Sequence, residues 1–207
     1  MDISNNFSNI INDITTEYYN NNTKNNFFKQ NQKYELAEVI VRNIDFQAFL
    51  SQNIYRDASN SNHIFLSYPN IKPILCPSTY KPVIDFLDNI IIQVINDGFN
   101  TFYAHVDIFS VTPSSISRFK NLISIFMNSS MSLPNSRVDY LHTFFIYNAP
   151  SSIKTINNML KAVINPSFFK KIQSKKEEQE EKERLQIIHQ KAKFKRKIEL
   201  KRKDCLI

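Results

Sequence analysis

The spacing of apolar residues changes along the middle of the chain and predicts alternating helices and strands. From residue 80 to 96 the apolar positions fall on one broad face, which predicts a helix that ends at Gly98, a residue suited to a left-handed cap. Residues 101–109 alternate as a strand does, and both faces are partly apolar, as in a covered sheet. Helical spacing returns after Thr112-Pro113, an N-cap and a first-turn proline, and predicts a helix to residue 130.

The flanking segments continue the same order. Residues 63–68 are rich in strand formers and stop at Pro69, and residues 141–147 form another apolar run of strand length. Residues 151–164 return to helical spacing. Strands that alternate with helices imply crossovers onto a mostly parallel sheet. We therefore predict an α/β fold, with a mostly parallel sheet of about four to five strands covered by helices.

The two ends of the chain differ in character from the middle. The first 32 residues are rich in asparagine, and we expect residues 1–32 to form a poorly ordered arm. Residues 33–50 have helical spacing, although residues 39–41 could equally begin a strand. Residues 173–207 are more than half charged, with a basic excess, and predict a helix or tail. One domain is therefore expected over residues 33–172.

Gly98 is the only glycine among 207 residues, and this excludes several kinds of site. The P-loop, the dinucleotide-binding fingerprint and the nucleophile elbow of serine hydrolases each need two or more glycines, where the backbone turns tightly or approaches a ligand. Nucleotide chemistry and serine hydrolysis by these common routes are therefore not expected.

The cysteines and the apolar runs bear on location. Cys76 and Cys205 are too far apart for a C-x-x-C pair, and the N-terminus lacks a signal pattern, so we expect a reducing, cytoplasmic location. The densest apolar stretch, residues 83–95, is interrupted by acidic residues and is too short to span a bilayer. No transmembrane segment is expected, and any attachment to a membrane would be peripheral.

The net charge of +7 lies in the C-terminal tail. Residues 170–207 hold 14 of the 26 basic residues and 7 of the 19 acidic residues, so the rest of the chain is neutral. Such a run is typical of a solvated helix, and it could also hold the protein at an anionic membrane. Binding to nucleic acid is not favoured, because Phe194 is the only aromatic residue beside the basic cluster. The candidate membrane-binding residues are Lys191, Lys193, Lys195, Arg196, Lys197, Lys201, Arg202 and Lys203.

A specific pattern of residues begins before the strand at residues 141–147. An acidic residue precedes this strand, an Asn-x-Pro segment ends it, and a helix then leads through a lysine and a proline to Lys-Ile. The pattern resembles the CRAL-TRIO lipid-exchange domain family, and Asp107 takes the place of an aspartate that ends an earlier strand in that family. The matching residues are Asp139, Asn148, Ala149, Pro150, Lys161, Pro166, Lys171 and Ile172.

The resemblance implies a non-enzymatic binder or transfer protein for a lipid or another hydrophobic ligand, without a cofactor. In that family the sheet is the floor of an apolar cavity, and the helix after Asn-x-Pro belongs to a mobile gate. Phosphoinositide-binding members hold the headgroup with an acidic residue and a lysine that correspond to Asp139 and Lys161. Each residue also has an ordinary interpretation, because Asp139 could cap a turn and Lys161 could solvate an exposed helix face.

The chain departs from the family pattern at three places. Residues 109–111 lack the family's glycine, Ala162 replaces a proline, and residues 173–203 are charged where the family has a further strand and a closing helix. A scaffold without a complete pocket could instead act as a protein-interaction adaptor, for example of small GTPases. A continuous apolar cavity beneath residues 151–164 would favour lipid binding, and a filled core with a bare sheet edge would favour the adaptor.

A third hypothesis is an enzyme or a metal site. His105 and Asp107 share one face of a predicted strand, and a group with Cys76 or a second histidine can be imagined. No local motif accompanies these residues. We therefore predict no catalytic residue and no metal ligand, and we expect His105 to be a structural histidine.

Overall fold

One sheet organises the part of the chain that the computed structural model describes, which is residues 3–24, 27, 29–58, 62–128 and 135–174. The sheet consists, in spatial order, of β1 (Ile54–Arg56), β2 (His63–Ser67), β3 (Phe102–Asp107), β4 (Leu141–Tyr147) and β5 (Ile172–Ser174). β1 is antiparallel to β2, and all the other neighbours are parallel. The α/β class with a mostly parallel sheet is confirmed.

Helices precede the sheet and connect its strands. A short 3-10 turn, Lys72–Ile74, adds to them. The helices are α1 (Ile3–Asn21), α2 (Lys29–Arg42), α3 (Phe46–Asn53), α4 (Tyr68–Ile71), α5 (Pro77–Asn96), α6 (Pro113–Arg118), α7 (Lys120–Asn128), α8 (Arg137–Tyr140), α9 (Ile153–Leu160) and α10 (Pro166–Phe169).

The order of the strands decides where the connecting helices lie. β2, β3, β4 and β5 are parallel and follow one another across the sheet in chain order. Right-handed crossovers between such neighbours place every connection on the same face of the sheet. The segments that contain α5, α6 and α7, and α9 therefore all cover one face.

The strand register separates the side chains of the two faces. Ile64 of β2 pairs with Ala104 of β3, which pairs with Phe144 of β4. These side chains point toward the connecting helices. The next row, which contains His105 and Phe145, points to the opposite face, because successive side chains of a strand alternate.

Most of the predicted elements are confirmed, and one predicted helix is interrupted. The strands at residues 63–68, 101–109 and 141–147 and the helix at 80–96 are present, although that helix begins at Pro77. The predicted helix to residue 130 is instead two helices, because Phe119 leaves helical geometry (ψ 14°) and buries its ring. The Thr112 hydroxyl caps the first of them by accepting from the Ser115 amide at 3.2 Å.

The expected disorder of the N-terminal arm is wrong for the described residues. Helix α1 buries Ile11, and the rings of Phe7 and Phe49 meet edge to face with centroids 5.5 Å apart. The Tyr18 hydroxyl donates to the Glu35 carboxylate at 3.0 Å. Apolar side chains recur here at helical spacing between asparagines, and the asparagines lower the mean hydropathy without removing the apolar stripe.

Two other boundaries also differ from the sequence prediction. Residues 33–50 belong to two helices, because the Asp45 carboxylate accepts from the Ala48 amide at 3.0 Å and starts α3. The alternative of a strand at residues 39–41 is wrong, since α2 continues to Arg42. The boundary at residue 172 falls inside β5. The basic tail, including Lys191, lies outside the described residues.

Because α1 packs on the domain through its apolar stripe, we predict that truncating a buried side chain of this stripe lowers the stability of the protein. Ile11→Ala should lower the free energy of unfolding by about 2 kcal/mol, because it removes buried methyl groups and leaves a cavity. Urea unfolding followed by circular dichroism measures the change. The control Asn12→Ala, on the exposed side of the same helix, should stay within about 0.5 kcal/mol of the parent protein. Equal unfolding curves for the two variants would contradict the docking of α1.

Candidate functional site

A cavity of about 300 Å³ lies between the sheet and the helices that cover it. Its floor is the apolar face of β2, β3 and β4, and its roof comes from α5, α6, α7 and α9. Floor side chains include Ile64, Leu66, Ala104, Val106, Phe144 and Ile146. The walls are therefore hydrocarbon over most of their area, which suits an apolar molecule rather than water.

A small residue helps to leave space above the central strand. Ala104 lies on β3 between Ile64 of β2 and Phe144 of β4. A residue opposite in a neighbouring strand is only about 5 Å away, so larger side chains flank the single methyl group. A larger side chain at residue 104 would therefore fill part of the cavity.

Helix α9 forms the part of the roof that follows the Asn-Ala-Pro segment. Ile153, Ile156 and Leu160 line the cavity from this helix, and Asn157 adds a polar group. Their spacing places the three apolar residues on one face of the helix. The continuous apolar cavity that the sequence analysis named as favouring lipid binding is therefore present beneath α9.

One buried ion pair belongs to the cavity wall. Arg137 of α8 donates from Nε to Asp88 Oδ1 at 2.6 Å and from Nη2 to Asp88 Oδ2 at 2.5 Å. Its Nη1 also donates to the Phe126 carbonyl at 2.8 Å. The side chains of Arg137 and Asp88 are 4% and 12% exposed. Because the pair is closely matched, it ties α5, α7 and α8 together without leaving an isolated charge.

Sequence reasoning missed this ion pair, although one signal was present. Asp88 occupies the same helical face as the buried residues Ile84 and Ile91. A carboxylate on such a face needs a cation, because a buried charge without a partner is costly. Its partner Arg137 is 49 residues away, and no local pattern identifies it.

Asp139 and Lys161, the predicted headgroup residues, lie outside the cavity lining. The Asp139 carboxylate is exposed and accepts from the Ser136 amide at 3.0 Å and the Ser136 hydroxyl at 2.7 Å. These hydrogen bonds lower the pKa of Asp139. Lys161 is exposed directly after α9. The structure therefore shows the capping contact of Asp139, and the headgroup role of both residues stays a prediction.

The opposite face of the sheet holds the histidines. His105 Nε2 lies 2.8 Å from His63 Nδ1, and His105 Nδ1 lies 2.6 Å from the Tyr147 hydroxyl. The ring of His105 also stacks on Phe65 with centroids 4.4 Å apart. His105 is buried, so its ring nitrogens serve these structural contacts.

His63 is thus the second histidine near His105, whereas Asp107 and Cys76 make other contacts. Asp107 accepts from the Phe109 amide at 2.8 Å and from the Asn148 side chain at 3.0 Å. The sulfur of Cys76 lies 3.1 Å from the Ser78 hydroxyl at the start of α5. Within the described residues, no three His, Cys, Asp or Glu side chains gather as metal ligands do.

The turn after β3 contains a residue with left-handed backbone geometry. Ser110 has a φ of 64°, in the left-handed region that glycine adopts more readily. The backbone geometry of this turn is therefore formed without glycine, at a cost of about 1 kcal/mol.

One comparison with known proteins, the scan against family models, agrees with the resemblance seen in the sequence. Residues 104–195 match the family model of the CRAL/TRIO domain. Among solved structures, Sfh5 is similar with a TM-score of 0.39 and 13% sequence identity, over 70% of this chain and 56% of the Sfh5 chain. The chain thus spans little more than half the length of Sfh5. No curated protein matches the sequence.

None of the helices in the described part of the chain is both long enough and apolar enough to cross a bilayer.

The buried ion pair predicts a large effect of a single substitution. Asp88→Ala should lower the free energy of unfolding by about 3–5 kcal/mol, because Arg137 would remain buried without its partner. The matched control is Asp85→Ala on the same helix, whose exposed pair with Lys81 should contribute less than about 1 kcal/mol. Urea unfolding measures both. The double variant Asp88→Leu with Arg137→Met should recover much of the stability that Asp88→Ala loses. Equal losses of stability in Asp85→Ala and Asp88→Ala would refute the stabilising role of the buried pair.

Proposed function

We propose that this chain binds a lipid or another hydrophobic molecule, without covalent catalysis, in the cavity between the sheet and α5, α7 and α9, because residues 104–195 match the CRAL/TRIO family model. One observation carries this proposal, which is the continuous apolar cavity beneath α9. A filled core would have supported the adaptor hypothesis instead.

The energetics of the cavity support an occupant. Unfilled space against apolar walls costs free energy, because the wall atoms lose packing contacts. A domain has a total stability of only about 5–15 kcal/mol. A bound hydrocarbon would offset this cost and gain about 25 cal/mol for each Å² of apolar surface removed from water.

Helix α9 is the element that we expect to move when a ligand binds. It is eight residues long, and Ile156 is its buried residue. Lys154 and Asn158 on its outer side are exposed. A short helix with few buried contacts opens at low cost compared with the sheet. This position agrees with the mobile gate that the family resemblance implies.

The finer parts of the proposal extend beyond the cavity. Transfer of the ligand between membranes would use the basic tail, whose residues include Lys191 and Lys203, to approach an anionic surface. Asp139 and Lys161, which lie outside the cavity lining, would contact a phosphoinositide headgroup. If the protein proves empty and stays empty when offered lipid, the adaptor hypothesis replaces lipid binding.

Filling the cavity should abolish ligand binding. Ala104→Phe places a ring between Ile64 and Phe144, and we expect the variant to carry at least tenfold less lipid than the parent protein. Native mass spectrometry with lipid extraction, on protein from a eukaryotic host and after incubation with phosphatidylcholine vesicles, measures the bound lipid. Overpacking should cost about 1–3 kcal/mol of stability, so thermal unfolding must confirm that the variant is folded.

The matched control for cavity filling is Ala58→Phe, which adds the same ring at an exposed position. It should leave lipid binding unchanged. A folded Ala104→Phe protein that retains the ligand in parent amounts would show that the ligand lies elsewhere.

A further inference from the structure

Four basic residues converge outside one end of the cavity. Lys29 and Lys33 lie on α2, Lys72 on the 3-10 turn, and Arg118 at the end of α6. Partial burial is the main reason why the pKa of both Lys33 and Lys72 is lowered. Repulsion from Arg118 is the second reason at each residue. Lys29 adds to the repulsion at Lys33, and Lys33 adds to it at Lys72. Tyr34, the neighbour of Lys33, donates its hydroxyl hydrogen to the Arg118 carbonyl at 2.8 Å, so α2 and the end of α6 lie side by side here.

These cations lack acidic partners within the described residues. The ion pairs there join Arg42 to Glu38, Arg56 to Asp97, Lys81 to Asp85 and Arg137 to Asp88, and none includes a member of the basic group. Like charges that gather without a counter-charge oppose folding. An anion at this place would remove that repulsion.

Some hydrogen-bond donors in the same region also have no acceptor, or only a distant one, among the described residues. Arg118 Nε and the Tyr68 hydroxyl are buried without a hydrogen-bond partner of good geometry among the described residues. Arg118 and Ser115 approach the Tyr68 hydroxyl closely enough to lower its pKa, although burial, the larger effect, raises it. Lys72 Nζ reaches Ser110 only at 3.4 Å and 3.5 Å, long distances for a charged donor. Several hydrogen-bond donors in this region therefore have no strong acceptor among the described residues.

The basic group adjoins the cavity through two aromatic side chains. Tyr68 and Phe119 both line the cavity, and their rings meet edge to face at 6.2 Å. Lys72 Nζ lies 5.7 Å from the centre of the Tyr68 ring, and Arg118 Cζ lies 4.3 Å from the centre of the Phe119 ring. The charges thus lie just beyond the wall where the hydrocarbon surface ends.

We propose that Lys33, Lys72 and Arg118, with the Tyr68 hydroxyl, bind a phosphate group at the Tyr68 end of the cavity. Arginine and lysine are the side chains that most often bind phosphate, and a buried tyrosine hydroxyl supplies a neutral donor. The phosphate belongs either to a lipid whose chains occupy the cavity or to a free anion. The lipid form rests on the proposed function. Asp139 and Lys161, for which the family resemblance implies a headgroup role, are not part of this basic group.

Two lipids that differ only in the phosphate test the proposal. Diacylglycerol and phosphatidic acid with the same acyl chains, each at low abundance in phosphatidylcholine vesicles, are offered to the full-length protein, and the bound amount is measured. Lys33→Gln with Lys72→Gln should weaken uptake of phosphatidic acid by about tenfold or more, the effect of losing charge-assisted hydrogen bonds. Uptake of diacylglycerol should not change. Lys33→Arg with Lys72→Arg should restore most of the preference, because the charge returns.

Matched controls and a second probe separate the outcomes. Arg42→Gln with Lys170→Gln removes two exposed charges outside the cavity and the basic group, and should leave uptake of phosphatidic acid unchanged. Titration with inorganic phosphate, by calorimetry, distinguishes the sources. If Ala104→Phe still binds inorganic phosphate and the Lys33 and Lys72 variant does not, the site exists and its ligand is a free anion. Preference for phosphatidic acid supports the lipid source.

The proposal fails if the Lys33 and Lys72 variant binds both phosphatidic acid and inorganic phosphate as the parent protein does. It also fails if the control variant loses as much binding. Failure of lipid binding itself looks different, because the parent protein would then take up neither lipid, and the titration with inorganic phosphate alone would decide whether the anion site exists.

Discussion

The handedness of the crossovers is the constraint on which the rest of this structure depends. β2 to β5 are parallel neighbours in chain order, and each right-handed crossover between them returns on the same side of the sheet. The helices therefore gather on one face and must enclose the apolar side chains of that face. Ala104 presents only a methyl group on this face, and a cavity remains between the sheet and the helices. The opposite face carries rings that pack on one another, with His105 at their centre.

Charged groups meet the cavity in two different ways. Asp88 and Arg137 form a closed pair, in which each charge is neutralised by the other and by hydrogen bonds, so the pair serves packing between helices. Lys33, Lys72 and Arg118 have no such closure among the described residues, and their mutual repulsion persists in the folded protein. The first arrangement needs no ligand. The second would be stabilised by one, which is why we assign an anion to it.

The N-terminal helices link this basic group to the body of the domain. Tyr34 of α2 donates its hydroxyl hydrogen to the Arg118 carbonyl at 2.8 Å and lies 3.2 Å from the Tyr80 hydroxyl. α1 in turn packs on α2 and on Phe49. The segment that composition alone would set aside therefore supports the position of Lys33, so that packing of the N-terminus and the proposed binding of phosphate are physically connected.

The sequence by itself determined the local elements and carried the resemblance to the CRAL/TRIO family model. β4 was predicted at its observed bounds, and the caps at Thr112 and Gly98 were recognised, because alternation and capping depend on residues only a few positions apart. Tertiary structure alone decided the short strands β1 and β5, each three residues long, since such strands exist only through their partners. It also decided the pairing of Asp88 with Arg137 and the approach of Lys72 to Arg118. These contacts join side chains from distant parts of the chain, and no local period records which distant residues a fold brings together.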